Sequence, residues 1–505
     1  MLNQHAPRLV LYVAVAVGLL AAVLIGQFAG QGNIKNIILA LGACAGVAFF
    51  LLLGKNYWMF LVFGLATGLP ALPIGGRNLE IGELGAFACF IIFLLMVAFR
   101  KNHFELLNFY SLPIYAFLGW MFFIYSQNPV GLGILGAESV GFRDYLRNIF
   151  GAMAFLVIAN QTLTEQDCRW VIRILIVGAL ISVPYSIINF YVFGGAASVE
   201  DPGSYTWHQS MSRPAFLVVL YIFCRYGAKK VFSISRPWMP ALVVSSLGVA
   251  FLSGKRAVAA SALLTPFIVA VLRRHWFQAF AYLFLGAFVV LVLVMGHGSV
   301  FNLPYNVQRS LANLPGDWEP GIKSLTDEGG DSFRAVMRDL AWERIKENPV
   351  VGKGMGFSMS DVANINPENY MQNIHIALAL GNSWHSTWLG LWADFGLPSV
   401  IIFATICLLC LKIYWQVFRE SSWSWPRPTA FHILAMMMLI ELVFFLLRSY
   451  TSGSSNIGYD FFWKYGLAVA MLNSLPKRPK ENSKMQMLAQ SNSPAPLLQH
   501  ATSKV

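Results

Sequence analysis

Charge is scarce in this sequence. Only 12% of its 505 residues are Asp, Glu, Lys or Arg, against about a quarter in a soluble domain. The shortage runs along the whole chain, so it is not the trace of one apolar anchor on a soluble enzyme. Cysteine is sparse too. The six are Cys44, Cys89, Cys168, Cys224, Cys407 and Cys410. None has zinc-ligand spacing, and Cys407 and Cys410 fall inside an apolar run. They read as small apolar fillers, Cys168 alone lying in a short polar loop, and no disulfide framework is implied. There is no GxxxxGK[ST] phosphate loop and no HExxH zinc pair. The external loops offer no acidic pair at the short spacing a divalent-metal sugar-nucleotide site would need, so no metal and no cofactor is expected. No repeat recurs at a fixed period, which removes solenoids and propellers.

What the chain has is apolar residues, 57% of the total. They fall into about fourteen segments long enough to cross a bilayer. These lie near 9–29, 36–53, 57–73, 82–99, 109–126, 148–163, 170–193, 212–226, 238–253, 257–273, 277–297, 388–413, 427–448 and 457–474. The expected fold is all-α, a polytopic transmembrane bundle of about 12–14 spans. The first run follows Arg8 and is too long for a signal-peptide core, so it reads as a retained span. Pro70 and Pro73 are expected to end the third span early.

The net charge of +12 fits cytoplasmic loops better than nucleic acid, since no basic stripe with interleaved aromatics occurs in a soluble segment. With the N-terminus in the cytoplasm, alternate loops collect Arg100-Lys101, Lys229-Lys230, Arg273-Arg274 and Lys477-Arg478 on one side. The positive-inside rule then places the long stretch 298–387 on the other side, the periplasm of a bacterial inner membrane. Four parts follow: an N-terminal bundle, 1–297; a periplasmic loop, 298–387; C-terminal spans, 388–474; and a disordered cytoplasmic tail, 475–505. Within the loop, Ser332–Glu347 has the pattern of an amphipathic helix, closed by Asn348-Pro349 and a Gly-Lys-Gly-Met-Gly turn.

Polar residues on the external face are the candidates for chemistry. Arg143 and Arg147 are four apart, as are Arg334 and Arg338, so each pair shares a helix face. Arg213 and Arg256 sit at span starts. An arginine fork suits a diphosphate, because it stays charged and donates paired hydrogen bonds. For any one arginine, a snorkelling or loop-pairing charge is the commoner role, and Arg147 has Asp144 at hand as a partner. Arg256 has the strongest functional case, in a loop that offers it few other partners. His385 is the candidate general base, with an ordinary pKa near working pH. A histidine among tryptophans is more often an interfacial packing residue. Trp384, Trp388 and Trp392 fit an aromatic belt better than a sugar-stacking platform.

Three segments in order carry a resemblance. SGKRAVAASALL, RDLAWERIKENPVVGKGMGF and HSTWLGLWADFGLPS resemble motifs of the O-antigen ligase and polymerase superfamily, over roughly residues 240–400. The resemblance implies a metal-independent, glycosyltransferase-C-like membrane enzyme. Its donor would be a glycan on undecaprenyl diphosphate. Its acceptor would be lipid A-core, a second carrier-linked glycan, or a protein hydroxyl. By position, Arg256 and Arg338 match the arginines that hold the diphosphate, and His385 matches the family histidine. Ser386 stands where Asn is usual and Asp394 where Glu is common. Arg334, Arg143, Arg147, Arg213 and Trp388 have no counterpart and stand as substrate-binding candidates on residue type alone. Two other readings are a flippase or transporter, which would place charge at mid-span, and a scaffold of an export system.

Overall fold

The computed structural model describes residues 54–68, 70–74, 77–98, 108–127, 143–191, 210–233, 235–319, 321–322, 332–355, 384, 386–421, 429–450 and 457–475. The expected spans at 9–29 and 36–53 and the polar tail lie outside them. In chain order the elements are α1 (Trp58–Thr67), β1 (Pro70–Ile74), β2 (Arg77–Glu80), α2 (Ile81–Ala98), α3 (Leu112–Gln127), α4 (Arg143–Ala159), α5 (Glu165–Tyr191), α6 (Ser212–Val231), α7 (Trp238–Leu252), α8 (Arg256–Leu272) and α9 (Trp276–Gly296). Then come α10 (Tyr305–Leu311), α11 (Ser332–Glu347), α12 (Thr387–Glu420), α13 (Ala430–Ser449), a π-helical turn (Gly458–Phe462) and α14 (Trp463–Asn473). Every expected span from 57–73 onward coincides with a helix, and α11 has the expected bounds. By length and composition, five of the described helices (α2, α5, α9, α12 and α13) are able to cross a membrane, while α7 and α8 are shorter apolar helices. The protein is a multi-pass helical membrane protein.

Three local departures have plain causes. The third span stops at Thr67, with Gly68 left-handed at φ 57°, and the chain turns into the antiparallel pair β1–β2. Prolines at 70 and 73 have no N–H to continue a helix, yet both are tolerated in a two-stranded ribbon. This hairpin is an addition to an otherwise helical fold. Second, α5 begins at Glu165, because Thr164 and Asp167 cap it reciprocally: Asp167 Oδ2 accepts from the Thr164 amide at 2.8 Å and Thr164 Oγ1 from the Asp167 amide at 3.2 Å. Cys168 is therefore buried in a first helical turn and does not lie in a polar loop. Third, Arg147 does not pair with Asp144. Its Nε donates to Glu83 at 2.9 Å and its Nη2 to Glu80, which ties the hairpin and α2 to α4.

Helix α13 has no continuous polar face, its charges being Glu441 and, in the last turn, Arg448, and 72% of its spanning stretch is buried, against 17% for α9. A helix without a polar face belongs inside a bundle. Accordingly α13 packs against α5, α6, α8, α12 and α14, whereas α9 turns Phe277, Phe284, Phe288 and Met295 outward. Where α4 crosses the π turn, two backbones touch. A Cβ built on Gly151 would lie 2.0 Å from the Gly458 carbonyl oxygen, and the Gly458 amide donates to Asn148 Oδ1 at 2.8 Å. Small residues allow this approach in membrane bundles, where packing replaces the hydrophobic drive between helices.

Gly151→Val is therefore expected to cost at least the ~1–3 kcal/mol of an overpacked core site. It should lower the melting midpoint in detergent sharply. Gly248→Ala, with nothing within 4 Å of the added carbon, should leave that midpoint unchanged or slightly raised.

Candidate functional site

Helix α11 docks through one stripe. Met337, Ala341 and Ile345, four residues apart, form a buried cluster with Trp384 and Ala393. After Asn348-Pro349 the chain turns through Gly352 and Gly354, with φ of 74° and 78°. The turn lies against a break in α12 at Gly396, where φ is 74° and ψ 177°. All three angles are in the region only glycine enters freely. The contact is also too close for side chains. A Cβ on Gly396 would meet the Val350 oxygen at 1.9 Å, and one on Gly352 the Asp394 oxygen at 2.6 Å.

The break frees backbone groups that an intact helix would pair. Pro398 has no N–H for the Asp394 carbonyl, and the Gly396 conformation separates Leu397 from Ala393. The turn takes over these bonds. The Gly354 amide donates to Asp394 at 2.7 Å, the Lys353 amide to Ala393 at 3.2 Å, and the Leu397 amide to Pro349 at 3.2 Å. Trp120 Nε1 covers the Phe395 carbonyl at 2.6 Å, and Ser399 Oγ covers those of Leu391 and Gly396 at 3.0 and 2.7 Å. Left open, each group would cost about 1–3 kcal/mol.

A buried ion pair fixes the same corner. Asp394 is fully buried, with Arg344 Nη2 at 3.7 Å and Trp384 Nε1 donating at 3.0 Å. Arg344 also donates to the Gly354 carbonyl at 2.6 Å and lies over the Trp384 ring. The three tryptophans are tied into the protein. Each indole N–H holds a partner: Trp384 holds Asp394, Trp388 holds Ser449 Oγ at 2.8 Å, and Trp392 holds the Pro349 carbonyl at 2.9 Å. Ser386 caps α12 by accepting from Leu389.

The Trp388–Ser449 bond brings the start of α12 to the end of α13, next to Arg448. Here the described charges are unbalanced. Glu441 is paired with Lys464 Nζ at 2.7 Å, and Arg213 and Arg448 lie within electrostatic range of the same carboxylate. Lys255 stands near Arg448. Although exposed, its ammonium is held below the usual lysine pKa, first by the surrounding protein and then by Arg448. Its neighbour Arg256 opens α8, donating to the Arg309 carbonyl at 3.0 Å and to Asn313 Oδ1. Such a concentration of fixed cations at one end of a bundle suits an anion.

Residues 241–404 match the family model described as O-antigen ligase. That segment is about a third of the chain, and its similarity to O-antigen ligases supports the O-antigen ligase and polymerase superfamily. Comparison with curated proteins returned no match. The match indicates an O-antigen ligase- or polymerase-type membrane function, and in that family the activity is glycosyltransferase-like, with a lipid-linked glycan and an acceptor as substrates. The ligase segment contains Lys255, Arg256, α11 and the broken turn of α12. It ends before α13 and its charges.

Against this frame the site residues expected of an O-antigen ligase or polymerase sort clearly. His385 lies outside the described residues, although Trp384 and Ser386 on either side of it are buried. The side chains of Arg143 and Arg334 are likewise outside the description. Arg338 is exposed on α11 and pairs with no described residue. Arg213 donates to the Ala66 carbonyl at 3.0 Å and joins the Glu441 cluster. Arg256 sits at the same end of the bundle and, contrary to expectation, has protein partners. Arg147 is neutralised by two carboxylates, and Trp388 is a bracket between helices. Sequence reasoning passed over Arg344, Glu441, Arg448 and Lys464. For the last three the signal was there, since charges within or at the ends of apolar spans mark functional positions.

Asp394→Leu alone leaves Arg344 without its carboxylate beside Trp384, and should cost about 3–5 kcal/mol. It should be read as early protease cleavage around α11. Arg344→Met combined with Asp394→Leu should recover most of that protection. Equal loss in both variants would assign Asp394 a role beyond the pair.

Proposed function

We propose that the protein moves or polymerises glycan from an undecaprenyl-diphosphate carrier at the periplasmic face of the bacterial inner membrane. One observation carries this reading: Arg213, Lys255, Arg256 and Arg448 gather at the end of the bundle where α12 begins, directly after His385. In the reaction, an acceptor hydroxyl oxygen bonds to the anomeric carbon as the bond from that carbon to the carrier phosphate breaks. The electron pair leaves with the diphosphate, whose growing charge the cations offset. His385 takes the hydroxyl proton. Attack from the face opposite the carrier inverts the anomeric carbon. Arg338, exposed on the docked α11, reaches the donor from the loop side. The chain's own cations supply the countercharge, so the reaction is expected to proceed without a metal.

A lipid-linked glycan flippase is the second reading, and Glu441–Lys464 favours it, because transporters keep ion pairs within their spans. Transfer in detergent, where there are no compartments, separates the two.

Purified protein given undecaprenyl-diphosphate glycan with EDTA should form products. Extension without lipid A-core identifies a polymerase, and transfer only with lipid A-core a ligase. His385→Ala should lower turnover by about 10²–10⁴-fold while donor binding persists. Wild-type turnover in that variant would remove His385 as the base. Arg448→Gln should weaken donor binding about tenfold and Arg448→Lys should restore much of it. Loss of folded protein in both would make Arg448 structural.

A further inference from the structure

At the opposite end of the bundle, α5, α6, the α6–α7 connection and the start of α13 enclose a cleft of about 710 Å³. This is the end that the positive-inside pattern assigns to the cytoplasm. Arg169, Arg173, Arg225, Lys230 and Arg236 line it against one carboxylate, Glu165. That carboxylate is already committed. Its oxygens accept from the Ala430 and Phe431 amides at 2.6 and 3.2 Å, capping α13, and Oε1 also lies 3.5 Å from Arg169 Nη2. Apart from the Arg169–Glu165 pair, aromatic rings lie against the cations. Arg225 and Arg236 both lie over the Tyr226 ring, with the guanidinium carbons 5.3 and 5.9 Å from its centroid, and Arg225 also donates to the Tyr221 hydroxyl. Arg173 lies 5.0 Å over Trp170. Guanidiniums crowded in this way repel one another unless an anion lies among them.

The shape of α5 says which anion. Arg169, Arg173, Val177 and Leu180 follow one helical stripe, so two cations at the cleft give way to two aliphatic residues, each 48% exposed, one and two turns further in. Trp170, 43% exposed, flanks the cationic end, where interfacial tryptophans sit. A soluble phosphate compound would use only the charged half of this stripe. A phospholipid uses both halves, with phosphate among the arginines and acyl chain along Val177 and Leu180. The cleft falls within the range of about 300–1,000 Å³ typical of small-molecule sites, and its excess of cations suits more than one phosphate. We infer that this cleft is a binding site for an anionic phospholipid, preferentially one whose headgroup carries two phosphodiesters. It takes no part in the transfer chemistry and does not depend on that reading.

The test is retention of lipid by the full-length protein in neutral detergent. Equal amounts of tetraoleoyl diphosphatidylglycerol, dioleoyl phosphatidylglycerol and dioleoyl phosphatidylcholine are offered, and bound lipid is read by native mass spectrometry. The two-phosphate lipid should be retained at least tenfold over phosphatidylcholine. An arginine near an anionic headgroup is worth about a fivefold change in binding, so Arg169→Gln with Arg173→Gln should weaken retention roughly 25-fold. Arg225→Gln with Arg236→Gln provides a second pair should the first fold poorly, and Arg419→Gln, exposed elsewhere on that side, should change nothing. Equal retention of phosphatidylcholine would overturn the proposal, as would unchanged retention in both pairs. Displacement of the lipid by millimolar inorganic pyrophosphate would overturn the lipid assignment and make this a soluble-phosphate site.

Discussion

A helix cannot run unbroken through Gly396 and Pro398, and the loop end of the bundle is organised by how that break is covered. At 34 residues, α12 would extend about 51 Å, well beyond a hydrocarbon core of about 30 Å. The break divides it into a short entry segment and a spanning segment. Backbone groups freed at such a depth survive only where protein satisfies them. The amides of Lys353 and Gly354 and the carbonyl of Pro349 do so, and they come from the loop. The break and the loop turn therefore complete each other. With the turn fixed, α11 is fixed, and with α11 fixed so is Trp384, the residue before His385. A proline that would cost about 3 kcal/mol in an ordinary helix becomes the reason a loop helix has one place to sit.

Charge is used sparingly, and its placement follows the dielectric. Arg344–Asp394 and Lys464–Glu441 are both largely buried, and pairs of this kind contribute little net stability but are costly to break. Their value is positional. The first pins the loop to α12, and the second sets a carboxylate among cations from α6 and α13. Arg147 shows the contrasting case. Its two carboxylates, Glu80 and Glu83, leave no net positive charge for an anion to meet, so helix spacing alone gave it the wrong company.

This contrast explains what was legible in the sequence. The apolar runs, the bounds of α11, the closing Asn348-Pro349 and the Gly-Lys-Gly turn were readable because periodicity and turn chemistry are local properties. Two of the three segments that carried the resemblance proved to be hydrogen-bonded to each other across 40 residues of chain, Lys353 to Ala393 and Gly354 to Asp394. No local signal encodes that pairing. The partners of the tryptophans were hidden for the same reason: no local signal gives the acceptor of an indole N–H, and here the acceptors are Asp394, Ser449 and Pro349. The hairpin was half visible, since Pro70 and Pro73 announced the end of a helix but not what followed. Glu441, Arg448 and Lys464 were visible as charges in apolar spans.

One helix joins the two cationic ends. The first amides of α13 are capped by Glu165 at the cleft, and its last turn carries Arg448 at the other cluster. Its 20 residues separate those ends by about 30 Å. At an effective dielectric of about 20, two unit charges repel by about 4 kcal/mol at 4 Å but only about 0.6 kcal/mol at 30 Å. Salt screens what remains of that interaction across the aqueous faces. A bundle with so few charges can therefore concentrate cations at both ends without either cluster destabilising the other. What limits each is repulsion within its own cluster. At one end Glu441 relieves it, and at the other the rings of Tyr226 and Trp170 do, with Glu165 shared between the helix cap and Arg169. The end with an internal carboxylate holds its cations in place before any anion arrives, as a site that must stabilise developing charge requires. The other end has one carboxylate, shared between a helix cap and Arg169, and leaves most of its positive charge to whatever anion it holds.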